Sequence, residues 1–100
     1  MSAKYTQLLK GTGGKKYKMV FYDTMRKKIK SVSFGDSNYQ DYTQHGDLQR
    51  KQNYIQRHSA RENFNDPMTA GSLALNLLWN KTTLSASYKD FRNKFKYELY

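Results

Sequence analysis

Tyr17-Lys18-Met19-Val20-Phe21-Tyr22-Asp23 is the stretch that decides the fold. Its residues alternate. Tyr17, Met19 and Phe21 fall on one side of an extended chain, and Lys18, Val20 and Tyr22 fall on the other. Ile29 to Phe34 reads as a second strand, with Val32 and Phe34 on one face. The link from Asp23 to Lys28 is short and polar, so the two strands form a β-hairpin over residues 17–34. Phe34-Gly35-Asp36 ends it.

Downstream the period changes from two to that of a helix. Residues 37–46 form a polar loop rich in Tyr and Asp. Asp47 is the N-cap of a helix predicted to run to about Asn63. Asp66-Pro67 supplies a cap and a first-turn proline for a helix reaching Trp79. Leu73, Leu75, Leu77, Leu78 and Trp79 surround most of its circumference, which makes it the most buried element. Thr83 caps a last helix, in which Leu84, Tyr88, Phe91, Phe95 and Leu99 form one apolar stripe. The fold class is therefore α+β: an N-terminal arm, a β-hairpin, then about three α-helices.

Upstream of the hairpin, residues 1–16 read as a basic flexible arm, leaving residues 17–100 as a single α+β domain. Gly11, Gly13 and Gly14 break any helix, and Lys4, Lys10, Lys15 and Lys16 keep the segment solvated. Tyr5, Leu8 and Leu9 are its apolar anchors. Such an arm orders by laying its backbone on something else, at a cost of roughly 1–2 kcal/mol per residue. On a protein partner, Tyr5, Leu8 and Leu9 would enter apolar pockets.

Charge is concentrated at the same end. Lys and Arg number 18 against 8 Asp and Glu, a net of +10. Residues 1–30 carry +8 of it, residues 31–66 carry −1 and residues 67–100 carry +3. This balance favours an acidic partner: nucleic acid, an anionic membrane or an acidic protein surface. Aliphatic residues are few, and nine Tyr with one Trp are the counterweight. No cysteine is present, so disulfides and zinc–thiolate sites are excluded. No apolar run approaches the roughly 20 residues of a bilayer span. Residues 1–18 lack the apolar core of a signal peptide. The expected compartment is the cytoplasm, the nucleus or a particle assembled there.

Two groups of cations are candidate partner-binding residues. Arg50, Tyr54, Arg57 and Arg61 follow steps of four, three and four and form one row on the middle helix. Guanidinium forks interleaved with an aromatic ring suit carboxylate or phosphate. A solvated helix face is the bland alternative. Lys15, Lys16 and Lys18, with Arg26, Lys27, Lys28 and Lys30 at and beside the hairpin tip, could contact successive phosphates; Lys15, Lys16, Arg26 and Lys27 are the candidates among them. Solubility, or docking on an acidic protein, explains such a patch equally well. His45, Asp47, His58 and Glu62 include an i, i+4 pair, but two histidines in no zinc motif make a poor metal site. His58 is better read as paired with Glu62 or Asp47. Gly11-Thr12-Gly13-Gly14-Lys15-Lys16 fails the spacing of a phosphate loop and precedes a strand where that motif needs a helix. No nucleophile–base pair is legible, so no enzyme, cofactor or small-molecule substrate is expected.

Further motifs lie along the chain: Phe34-Gly35-Asp36, Tyr39-x-Asp41-Tyr42-Thr43-x-His45-x-Asp47, Arg50-Lys51-x-x-Tyr54-Ile55-x-Arg57-His58, Arg61-Glu62-Asn63-Phe64-x-Asp66-Pro67-Met68-Thr69-Ala70-Gly71 and Leu78-Trp79-Asn80-Lys81. With residues 17–23, this pattern resembles a family of small basic proteins of large double-stranded DNA viruses of algae and protists. The likeness runs over about residues 17–95. It implies a virion or replication-factory protein, present in the host cytoplasm or nucleus during assembly, and carries over no catalytic residue. The preferred expectation is a non-enzymatic minor capsid component that cements larger capsid proteins, since Tyr-rich surfaces and an extended arm suit wedging between shell subunits. The alternative is sequence-independent binding of the packaged double-stranded DNA.

Overall fold

The computed structural model describes residues 2–100. Two long strands, β2 (Lys15–Tyr22) and β3 (Lys28–Asp36), form the expected hairpin. Tyr17 opposite Phe34 and Met19 opposite Val32 place the apolar residues of both strands on one face. Asp23 shapes the tip: its carboxylate accepts the backbone N–H groups of Met25 and Lys27, each at 2.9 Å.

The expected arm is a strand. Tyr5–Lys10 forms β1 and pairs antiparallel with β2, from Tyr5 opposite Tyr22 to Lys10 opposite Tyr17. This corrects the division at residue 16; Met1 lies outside the described residues. The glycines do not loosen the segment. They turn it: Gly13 and Gly14 adopt φ of +63° and +83°, the left-handed values that a tight hairpin connection needs. The backbone that was expected to lie on a neighbour lies on β2. Leu8 packs against the core of this same molecule.

A two-residue strand, β4 (Glu98–Leu99), runs parallel to β1, giving a four-stranded sheet in the order β3-β2-β1-β4. It corrects the last helix, which spans Leu84–Phe95 and stops where Lys96 takes a left-handed φ of +61°. Leu99 thereby leaves the apolar stripe and is exposed.

Four helices follow the hairpin: α1 (Tyr42–His45), α2 (Leu48–Ser59), α3 (Ala70–Leu78) and α4 (Leu84–Phe95). Asp47 and Thr83 are N-caps, as their positions in the sequence predict. The short α1 lies inside the loop read as irregular, held by a capping box on Asp41 and Gln44. Helix α2 ends at Ser59, before Asn63, whose side chain accepts the Asn65 N–H and offers the chain a turn instead of a further helical bond. Helix α3 starts at Ala70 behind Thr69; Asp66 instead closes a turn onto the Met68 N–H.

The core lies between one face of the sheet and helices α3 and α4. Met19, Phe21, Phe34, Leu73, Leu77, Leu78 and Phe91 are all sealed from solvent. Trp79 and Phe95 are half-buried at its margin. Thr6 and Tyr88 share a 2.8 Å hydrogen bond that ties β1 to α4. The opposite face of the sheet carries the other residues of each alternation. Tyr5 faces Tyr22, Leu9 faces Lys18, and Lys18 and Val20 face Ser33 and Ser31. None of Tyr5, Leu9, Lys18, Val20 and Tyr22 belongs to the core cluster. A bulge between Phe21 and Tyr22 brings Lys28 opposite Tyr22 on this outer face.

Candidate functional site

A cleft of about 850 Å³ opens between α2, the C-terminal end of α3 and the loop after β3. Arg50, Tyr54 and Arg57 line it together, from successive turns of α2. Arg61 does not: it lies beyond the end of α2 and outside the cleft lining, so the row has three members. Arg50 and Arg57 are exposed, and neither meets a carboxylate in an ion pair.

The wall of the cleft is an aromatic ladder. Tyr54 lies nearly parallel to Trp79, with ring centroids 4.3 Å apart. His58 stacks on the other side of Tyr54 at 4.1 Å, which corrects its expected pairing with Glu62 or Asp47. His45 leans on Trp79 at 5.4 Å. Its Nδ1 accepts the Asp47 N–H at 2.9 Å, which puts the ring proton on Nε2; that buried Nε2 has no hydrogen-bond partner. Both faces of Tyr54 are occupied, so the ladder offers ring edges to the cleft. Burial pushes the Tyr54 hydroxyl up to about 12; Glu62 adds to the rise and Arg57 opposes it. At neutral pH it is a fixed hydrogen-bond donor.

The lysines of the β1–β2 turn divide. Lys15 is exposed. Lys16 is not a free cation: it donates to Asp41 and, at 2.7 Å, to Gln44. Asp41 is 3% exposed and also accepts the Thr43 N–H and hydroxyl, so the pair fastens the loop and α1 to the sheet. Lys51, on the flank of α2 beside His58, is likewise used internally, donating to the Asn80 carbonyl at 2.6 Å.

Arg26, Lys27 and Tyr5 gather at the opposite end of the sheet from the Gly13–Gly14 turn. Arg26 adopts a left-handed φ of +61° and lies over the Tyr5 ring at 4.6 Å. Tyr100 stacks on Tyr22 with centroids 3.7 Å apart. Leu8 and Leu9 border a second, shallower depression with Leu84. Among the described residues, no three His, Cys, Asp or Glu side chains are placed to hold a metal ion. No helix among them is long and apolar enough to cross a membrane.

Sequence reasoning found the α2 cations and missed the wall behind them. Trp79 reads as a core residue, and only the tertiary fold brings it to Tyr54, 25 positions away.

What these observations define is an α+β protein with a cleft walled by aromatic rings and lined by Arg50, Arg57 and the paired Lys16 and Asp41, with Asp36 at its edge. The pattern of a family of unknown function, DUF5754, matches residues 10–58. That segment holds the Gly13–Gly14 turn, both strands of the hairpin, α1, and Arg50, Tyr54 and Arg57; Trp79 and Arg61 lie outside it. The match names no activity, partner or source. No curated protein and no solved structure matches the chain.

Proposed function

We propose that this protein is a non-enzymatic docking protein that seats an acidic segment of a protein partner in the cleft. The observation that carries the reading is the convergence of Arg50 and Arg57, both without a carboxylate, on an aromatic wall whose ring faces are already taken. Guanidinium forks pair with carboxylates bidentately. Ala74, Leu78 and the edge of Trp79 give an apolar side chain of the partner a place between them. On one helix face the two arginines stand seven residues apart, roughly 10 Å along the axis. Two carboxylates spaced two to four residues apart on an extended peptide span about 7–13 Å, which side chains of this length can meet.

In the virion setting that the resemblance implies, the partner is a larger shell subunit and this protein a minor capsid component. The arm first favoured for that role is part of the sheet, so support passes to the cleft.

Trp79 is the single tryptophan and stands in the cleft, so its emission reports occupancy directly. Titration with a synthetic acidic peptide carrying one central leucine should change that emission saturably. The double variant R50A/R57A should weaken binding about a hundredfold, since each charge-assisted bond contributes roughly 1.5–3 kcal/mol. Lys15→Ala should leave it within twofold. Emission that never changes, or a double variant that binds like the parent, would overturn the reading.

A further inference from the structure

We propose that the outer face of the sheet is a platform for single-stranded nucleic acid, held without regard to base sequence. This surface is distinct from the cleft, and the inference does not rest on the docking reading.

The core cluster, with α3 and α4, lies on the other side of the sheet; on this face Val20 is buried, and Tyr5, Leu9, Lys18 and Tyr22 around it are part-exposed. Tyr5 and Tyr22 stand side by side on neighbouring strands. Tyr100 lies flat on Tyr22 at 3.7 Å with an 18° tilt, so the two rings form a stack whose outer face is that of Tyr100, the face on which a base would continue the stack. Tyr100 itself is 45% exposed. Arg26 bridges the rings, 4.6 Å above Tyr5 and 5.6 Å from Tyr100.

Charge complements the rings. Lys18 and Lys28 flank them on the same face, and neither forms an ion pair. Glu98 also lies on this face, opposite Tyr5, and is met by Lys4 at 3.6 Å. Aromatic rings set among cations on a sheet stack bases and neutralise phosphates, and every base has a π-face to offer.

Other occupants fit less well. A duplex hides its base faces in the stack, and a broad sheet face presents no element that enters a groove. An acidic protein would meet the cations but leave the outer face of the Tyr100 ring unused. A second copy brings a further +10 of like charge.

The test is fluorescence anisotropy of a labelled 20-residue thymidine oligonucleotide, and of the same strand in a duplex, from about 50 to 300 mM salt. The full chain should bind the single strand at least about tenfold more tightly than the duplex at each salt. Y5A/Y22A should lose at least about fivefold per ring, whereas Y5F/Y22F retains affinity. K18A/K28A should flatten the salt dependence by about 0.7 per phosphate released. Trp79 emission on the acidic peptide should be unchanged in all three, which separates failure here from failure of the cleft. Equal affinity for duplex and single strand, or parental affinity in Y5A/Y22A, would overturn the proposal. Should the alanine pair fail to fold, K18E/K28E decides: loss of about a hundredfold supports the platform, and parental affinity removes it.

Discussion

Lys16 and Lys18 stand two residues apart on β2 in opposite surroundings. The side chain of Lys16 is 13% exposed and locked to Asp41, itself deeply buried. Lys18 lies on the outer face of the sheet and forms no ion pair. The first cation holds the fold together and the second is free to meet a ligand. The same division runs through the molecule. Two of the 18 Lys and Arg side chains form ion pairs with carboxylates, and sixteen do not. A strongly basic sequence therefore says little about which cations bind; the distinction comes from where the fold places an acid beside them. Exposed cations left without one, such as Lys15, Arg50 and Arg57, keep their hydration and cost the fold little, while adding attraction for an anionic ligand; Lys51 instead donates to the Asn80 carbonyl.

Breaking the buried pair should have the largest effect. Lys16→Ala strands Asp41 in the interior and should lower stability by about 3 kcal/mol, whereas Lys18→Ala should change it by less than about 0.5 kcal/mol. Urea unfolding of the two variants side by side checks this. Equal losses would mean that Lys16 contributes no more than an exposed residue.

Gly35 sharpens the same contrast, because it sets the close approach of β3 to Lys16 and α3. Its φ is +79°, and a Cβ there would stand 2.7 Å from Leu78 Cδ1 and 3.2 Å from Lys16 Cβ. Gly35→Ala should cost about 2 kcal/mol, from backbone strain plus displaced packing. Gly13 has a similar φ of +63° but open space around it, so Gly13→Ala should cost about 1 kcal/mol, from strain alone. Thermal unfolding of the two variants distinguishes packing from strain.

A smaller effect comes from the cleft wall. Tyr54 has its hydroxyl pushed up to about 12, above the ordinary value near 10 that the unfolded chain keeps. The fold thus favours the protonated ring. That contribution is whole below about pH 10 and is lost as pH rises through 12, because the unfolded state releases its proton first. Tyr54→Phe should remove this slope, so the stability difference between parent and variant should shrink from pH 10 to 12. Tyr22, Tyr88 and Tyr97 shift the same way, mainly through burial, so the difference between the two proteins is the quantity to follow.

Elements with local chemistry were legible in the sequence. The alternation of Tyr17, Met19 and Phe21 gave away β2, and Asp47 and Thr83 marked their helices, because a cap or a period is written within a few residues. Features that depend on distant partners were not. Tyr5–Lys10 is a strand because β2 follows across a glycine turn, and three glycines read equally well as flexibility. Arg61 fell out of its row because the side chain of Asn63 favours a turn beyond Ser59. Arg50, Tyr54 and Arg57 were foreseen as cleft residues; His58 stands four residues after Tyr54 and so stacks on it by helical spacing, whereas Trp79 joined only through the tertiary fold. The outer face was present in the alternation of Lys18, Val20 and Tyr22, but its rings assemble only when β1 and the chain end are added.

The cleft and the outer sheet face are proposed as two anion-binding surfaces that work independently. The direct measurement is a Trp79 emission titration with the acidic peptide at about 150 mM salt, in the presence and absence of saturating thymidine oligonucleotide. At this ionic strength the field of a bound strand is largely screened beyond about 8 Å. The predicted result is a peptide Kd unchanged within about twofold, with the oligonucleotide still bound at the end of the titration. Mutual displacement, each ligand expelling the other in proportion to its concentration, would contradict it and reduce both surfaces to one undivided field of positive charge.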